Sequence, residues 1–190
     1  MKKSLNQLFL VISLCFLLCF SISCQNQEAK AEQEAMAELE EFKAQVEVEK
    51  QNKELVKRMY EAFNTGDFEA YKEVVAPEYA WYFPSRSNKP VSREETIEFV
   101  KMLRNAFPDI TYSIEELIAV EDRVISRFIV RGTHEGEFQG FHATGNKIES
   151  GGIVMTRIAN GKIVEDKEEL EIQDFIQQLG RQFMQKETKK

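Results

Sequence analysis

The chain has 190 residues and a formal net charge of −7, enough for one domain with additions. The acidic balance excludes the basic face that nucleic acid binding needs. Three cysteines, two of them inside an apolar run, exclude a disulfide-built scaffold and a thiolate metal cluster. That run comes first. Lys2 and Lys3 precede Leu8 to Phe20, which is apolar except for Ser13. Residues 1–23 therefore read as a signal segment, too short and wrongly flanked for a transmembrane helix.

The run ends in Ser21-Ile22-Ser23-Cys24, which resembles the lipobox of bacterial lipoproteins, with Ser21 standing where Leu is usual. The resemblance implies cleavage before Cys24, lipidation of its thiol, and an exported protein held on the membrane of the bacterial cell envelope through that anchor. An ordinary cleaved signal and an uncleaved anchor are the alternatives. Cleavage leaves 23 basic against 32 acidic residues, a charge of −9. Residues 24–51 form a spacer without Gly or Pro, rich in Ala, Glu, Gln and Lys, and read as helix. Met36, Leu39, Phe42 and Val46 make a thin stripe on it. A solvated helical spacer and a helix packed on a partner both fit.

A globular domain is expected over 52–181, with a tail at 182–190. Leu55, Val56, Met59 and Phe63 give a helical face. Gly66 suits the stop of that helix, and Asp67 the cap of the next, which Pro77 is expected to end. Residues 78–83 read as a short aromatic strand. Ser92 and Glu95 match a capping box, opening a helix that Pro108 closes. Strands follow from Ile110, with a turn at Glu121-Asp122. The pair Asn160-Gly161, between IVMTRI and KIVE, is the strongest short hairpin signal available. A last helix is expected to point Ile172, Phe175, Ile176 and Leu179 at the core and to stop at Gly180. Helices first and sheet after predict an α+β layer fold rather than alternating β-α-β.

Residues 52–180 resemble the SnoaL-like polyketide cyclases, or ester cyclases, of the nuclear transport factor two-like superfamily. AFPDI, GTHEGEFQG with TGNK, and RIANGKIVE running to QQLG carry the resemblance. It implies a cone-shaped, curved antiparallel sheet with packed helices around an apolar pocket, and a homodimer through the sheet. It also implies ring closure of a small apolar carbonyl compound, or a related isomerase or lyase reaction, without cofactor. A non-catalytic ligand-binding or assembly module on the same fold is the alternative.

By the same resemblance Glu171 stands at the acid/base carboxylate position of the last strand, one methylene longer than the usual aspartate. Asp166 and Lys167 replace a frequent His and Trp. Glu171 shares a strand face with Glu169 and Lys167, so a solvated face is the competing reading. The expected ligand-binding residues are Tyr60, Trp81, Tyr82, Phe99, Phe138, Met155 and Arg157. Arg157, among apolar neighbours, suits an anionic ligand or a snorkelling surface role. The aromatic residues suit either core or pocket lining. His134 and His142, across a glycine-rich turn, match no zinc spacing, and no metal site is expected.

Overall fold

Among the described residues ten elements are built from these signals, six strands and four helices. In this computed structural model the backbone is described for residues 2–187 and the side chains for residues 30–180. The signal segment and the lipidation expected at Cys24 lie outside the described side chains. The chain divides into two units, Met1–Val46 and Glu47–Lys190, and helix α1 (Lys2–Thr65) contributes to both. In the first unit Met36, Leu39, Phe42 and Val46 are exposed, and exposed ion pairs such as Lys43 with Glu40 run along the helix. Among the described residues no helix is long and apolar enough to cross a membrane.

In the second unit, α1 buries Val56, Met59, Tyr60 and Ala62 and stops at Gly66, whose φ of 74° only glycine adopts freely. The Arg104 guanidinium donates to the carbonyls of Phe63 and Asn64, satisfying acceptors that the helix end leaves open. Asp67 caps α2 (Phe68–Val74) by accepting from the Ala70 amide. Helix α2 stops at Val74, three residues before the expected Pro77. Pro77 lies inside β1 (Val75–Tyr82), where the pairing with the neighbouring strand is irregular between Val75 and Ala80. A residue without an N–H is tolerated at such a gap in the ladder.

After the short β2 (Val91–Ser92), α3 (Arg93–Ala106) opens on the full Ser92–Glu95 capping box. Strands β3 (Thr111–Val120), β4 (Arg123–Thr133) and β5 (Lys147–Ala159) form a meander. Asn160 and Gly161, with φ of 51° and 70°, then turn the chain into β6 (Lys162–Leu170). The sheet order is β2-β1-β6-β5-β4-β3. The sheet is mixed, not wholly antiparallel as expected, because β1 pairs with β6 in parallel. The hairpin engages one edge of β6. The free edge takes β1, which approaches from α2 and is joined to β6 only through α3 and the meander.

Irregularities in the β1–β6, β3–β4 and β5–β6 pairings bend the sheet. One is decisive. Ile158 pairs with Ile163, but Arg157 pairs with Glu165, so Val164 is an extra residue without a partner on β5. Ile163 faces the core. Strict alternation from Ile163 would turn Glu165, Lys167 and Glu169 inward. The bulge reverses the parity, and Asp166, Glu168 and Leu170 face inward instead.

The inner sheet face and the helices bury Tyr71, Phe107, Phe128, Val124, Ile163 and Leu179. Gly152 allows the sheet to approach this core, since a Cβ there would stand 2.5 Å from Phe128 Cζ. Helix α4 (Ile172–Glu187) buries Phe175 and Leu179 and continues through Gly180 rather than stopping there. Ile172 and Ile176, expected at the core, are exposed and border a cavity.

Candidate active site

Between the inner face of the sheet, α3 and α4 lies a cavity of about 480 Å³. Trp81, Phe99, Tyr112, Phe128, Phe138 and Leu170 supply much of its apolar wall, and Glu168 is its inward carboxylate. Lys89, Glu95 and Gln139 also line it. A smaller cavity of about 60 Å³ has Glu168, Trp81 and Phe99 in its wall as well, and adds Asp166, Tyr60 and Tyr79. Among the described residues no cluster of three or more His, Cys, Asp or Glu is placed to hold a metal ion.

Strands position the two inward acids and most of their partners, and α1 supplies Tyr60. Asp166, opposite Thr156 on β5, is 3% exposed. It accepts from Thr156 Oγ1 at 2.5 Å and from Tyr79 Oη at 2.6 Å. Glu168, opposite Val154, accepts from Trp81 Nε1 at 2.9 Å. Glu168 is half-buried and lines both cavities. Tyr60 Oη and Ser126 Oγ are hydrogen-bonded at 2.9 Å.

Burial dominates the electrostatics. Loss of water raises the Asp166 carboxyl to about 6, while the hydrogen bonds from Thr156 and Tyr79 hold it down. Glu168 is raised to about 8, first by burial and then by the charge of Asp166, against the lowering hydrogen bond from Trp81. Desolvation also raises the pKa of Tyr60, Tyr79 and Tyr112, so all three are neutral donors at neutral pH. The site thus holds a carboxyl able to take or give a proton near neutral pH, in an aromatic cavity.

Of the expected ligand residues, Trp81, Phe99 and Phe138 line the large cavity, and Tyr60 lines the small one. The structure does not bring the others to them. Met155 and Arg157 alternate on β5 with buried Val154, Thr156 and Ile158, so they face the outer side of the sheet. Met155 is 39% exposed, and Arg157 pairs with Glu165 at 3.8 Å. Tyr82 points away from Trp81's side of β1, beneath the Lys167 ammonium. Glu171 is exposed just past the end of β6. It receives the Gly151 amide at 3.2 Å and lines an open groove with Arg127, Glu149 and Asp174. The parity set at Val164 puts it opposite the cavity.

His134 is buried, stacked on Phe107 and bonded through Nδ1 to Thr144. That bond ties the end of β4 to the loop before β5. Sequence reasoning missed Glu168, Asp166, Tyr79 and Tyr112. The two acids turn inward through the one-residue bulge at Val164, and apolar residues on both faces of β5 leave that parity unmarked in the sequence.

Comparison with known proteins agrees with this fold. The family model for SnoaL-like polyketide cyclase matches residues 53–179. Aklanonic acid methyl ester cyclase AcmA from Streptomyces galilaeus is 26% identical over 148 residues, 71% of this chain and 94% of that protein. The crystal structure of IdmH from Streptomyces antibioticus, assigned as a polyketide cyclase, superposes with a TM-score of 0.61 at 30% identity, covering 68% of this chain and 99% of that one. AclR from Streptomyces galilaeus, assigned as a hydroxylase, gives 0.63 at 27% identity, over 70% and 83%.

Both raised carboxyls have a stability consequence. A carboxyl with a folded pKa above its unfolded value stabilises fully below the unfolded value, and that stability is lost as pH rises through the folded one. For Glu168 the window runs from its ordinary value of 4.5 to about 8, and for Asp166 from 3.8 to about 6. Thermal melts of the full chain should show a melting temperature that falls from pH 5 to pH 8. Glu168→Gln should flatten the fall; an equally steep fall would show that Glu168 does not titrate in this range.

Proposed function

Since the chain belongs to the SnoaL-like polyketide cyclase family, we propose that it closes a ring in a small, mostly apolar carbonyl compound, with Glu168 as the proton-transfer group and no cofactor. The observation that supports this reading is the Glu168 carboxyl, facing an aromatic cavity of about 480 Å³ and anchored by the Trp81 indole. In the step proposed, ionised Glu168 takes a proton from carbon next to a substrate carbonyl. The enolate carbon bonds to a second carbonyl carbon of the same molecule, and the new alkoxide recovers the proton from Glu168. The enzyme ends unchanged. A base with a pKa near the working pH suits both halves of the cycle. The aromatic walls keep water from the enolate. The Tyr112 ring borders the same cavity, and Tyr60 holds Ser126 behind it.

Substrates to test are polyketide dicarbonyl compounds, aklanonic acid methyl ester among them, since AcmA is named for that ester. Product analysis by mass spectrometry should show turnover by the full chain that falls at least about 100-fold in Glu168→Gln, with Glu171→Gln close to unmodified protein. The reverse pattern would return the role to Glu171.

Two further parts of the proposal lie outside the cavity. The first 24 residues support export and attachment to the envelope through Cys24, so labelled fatty acid should be incorporated by the cells' protein and lost in Cys24→Ala. Label retained by that variant would rule the anchor out. The outer sheet face exposes Ile118, Val120, Ile125, Ile153 and Met155, which supports a homodimer through the sheet. Equilibrium sedimentation should give twice the chain mass, and a monomer at micromolar concentration would remove this part.

A further inference from the structure

We propose that Asp166 is a positioning residue that sets the proton affinity of Glu168, the two carboxyls acting as a coupled pair that holds one proton between their titrations. The inference rests on the reading of Glu168 as the proton-transfer group. Its basis is geometric. Val164 turns both residues to the same face of β6, two positions and roughly 7 Å apart along the strand. Both side chains line the same small cavity, where little water screens one charge from the other.

Their surroundings divide the labour. Asp166 has two hydroxyl donors, Tyr79 and Thr156, on separate oxygens, and these favour its ionised form. Glu168 has one indole donor, on Oε2, and borders the cavity that would receive a ligand. The pair therefore ionises in order, Asp166 first, and its charge opposes the ionisation of Glu168. The Asp166 charge raises the proton affinity of Glu168.

Other ionisable groups surround the pair; Lys89 and Glu95 share the large cavity with Glu168 but not the small one that it shares with Asp166. Tyr60 from α1, Tyr71 from α2, Tyr79 from β1 and Tyr112 from β3 are held neutral by burial. Glu165 and Glu169 on β6 add smaller repulsions, on Asp166 and Glu168 respectively. Two cations of α3, Arg93 and Arg104, act on Tyr71 and Tyr112. Asp166 thus makes Glu168 a stronger base than burial alone would, without touching the substrate.

The test is a carbon-13 NMR titration of the full chain labelled at the glutamate side-chain carboxyl, with Glu168 assigned by its loss in Glu168→Gln. In Asp166→Asn the Glu168 inflection should fall by about one pH unit, and the acid limb of turnover should move the same way. Where circular dichroism shows that Asp166→Asn does not fold, Tyr79→Phe decides. Removing one donor from ionised Asp166 moves the retained proton towards it, so Glu168 should again titrate at lower pH. An unmoved Glu168 inflection in folded Asp166→Asn, or in Tyr79→Phe where that variant is needed, overturns the inference alone. Full turnover by Glu168→Gln overturns the acid/base reading beneath it.

Discussion

One unpaired residue controls the chemistry this fold presents. The Asn160-Gly161 turn aligns β5 with β6, and without interruption that alignment would carry odd-numbered β6 side chains inward from Ile163. Val164 intervenes, and the two even-numbered acids enter instead. Bulges are enriched beside active sites because they re-aim side chains at low cost to the sheet. Here the effect reaches every later position on the strand. Glu165, Lys167 and Glu169 stay outside, where Glu165 pairs with Arg157 and Lys167.

Two carboxyls in an apolar interior require compensation. The chain supplies it with neutral donors rather than cations: two hydroxyls on Asp166 and an indole N–H on Glu168. A buried guanidinium would neutralise the pair and keep both acids ionised. Neutral donors orient the carboxyls while leaving proton affinity high. The scaffold is shared with proteins assigned as cyclases and as a hydroxylase, so the fold alone does not select a reaction. On this scaffold, β6 turns two acids into the interior.

The legible features were local ones. Gly66-Asp67, the Ser92–Glu95 box and Asn160-Gly161 each operate within a few residues, and each forms as its composition predicts. The aromatic lining was also legible in part, because Trp81, Phe99 and Phe138 have few alternatives to burial. What escaped depends on partners distant in sequence. Apolar residues occupy both faces of β5, so Ile153-Val154-Met155 gives no parity of its own. The run Glu165 to Glu169 is charged at every position, which hides the two acids that are buried. Family resemblance directed attention to Glu171 by position, and a position does not encode the direction of a side chain. The parallel pairing of β1 could not be read either, since no turn links it to β6.

That parallel pairing has a consequence for how the protein comes into being. Tyr79 and Asp166 are 87 residues apart, as are Trp81 and Glu168. A growing chain therefore completes its aromatic first strand long before the strand that pairs with it exists. Contacts of such separation form late, because the intervening loop must be closed first. The last strand to be made closes the sheet and places both acids at once. A chain cut short before residue 162 would carry much of the cavity's wall and none of its acid pair.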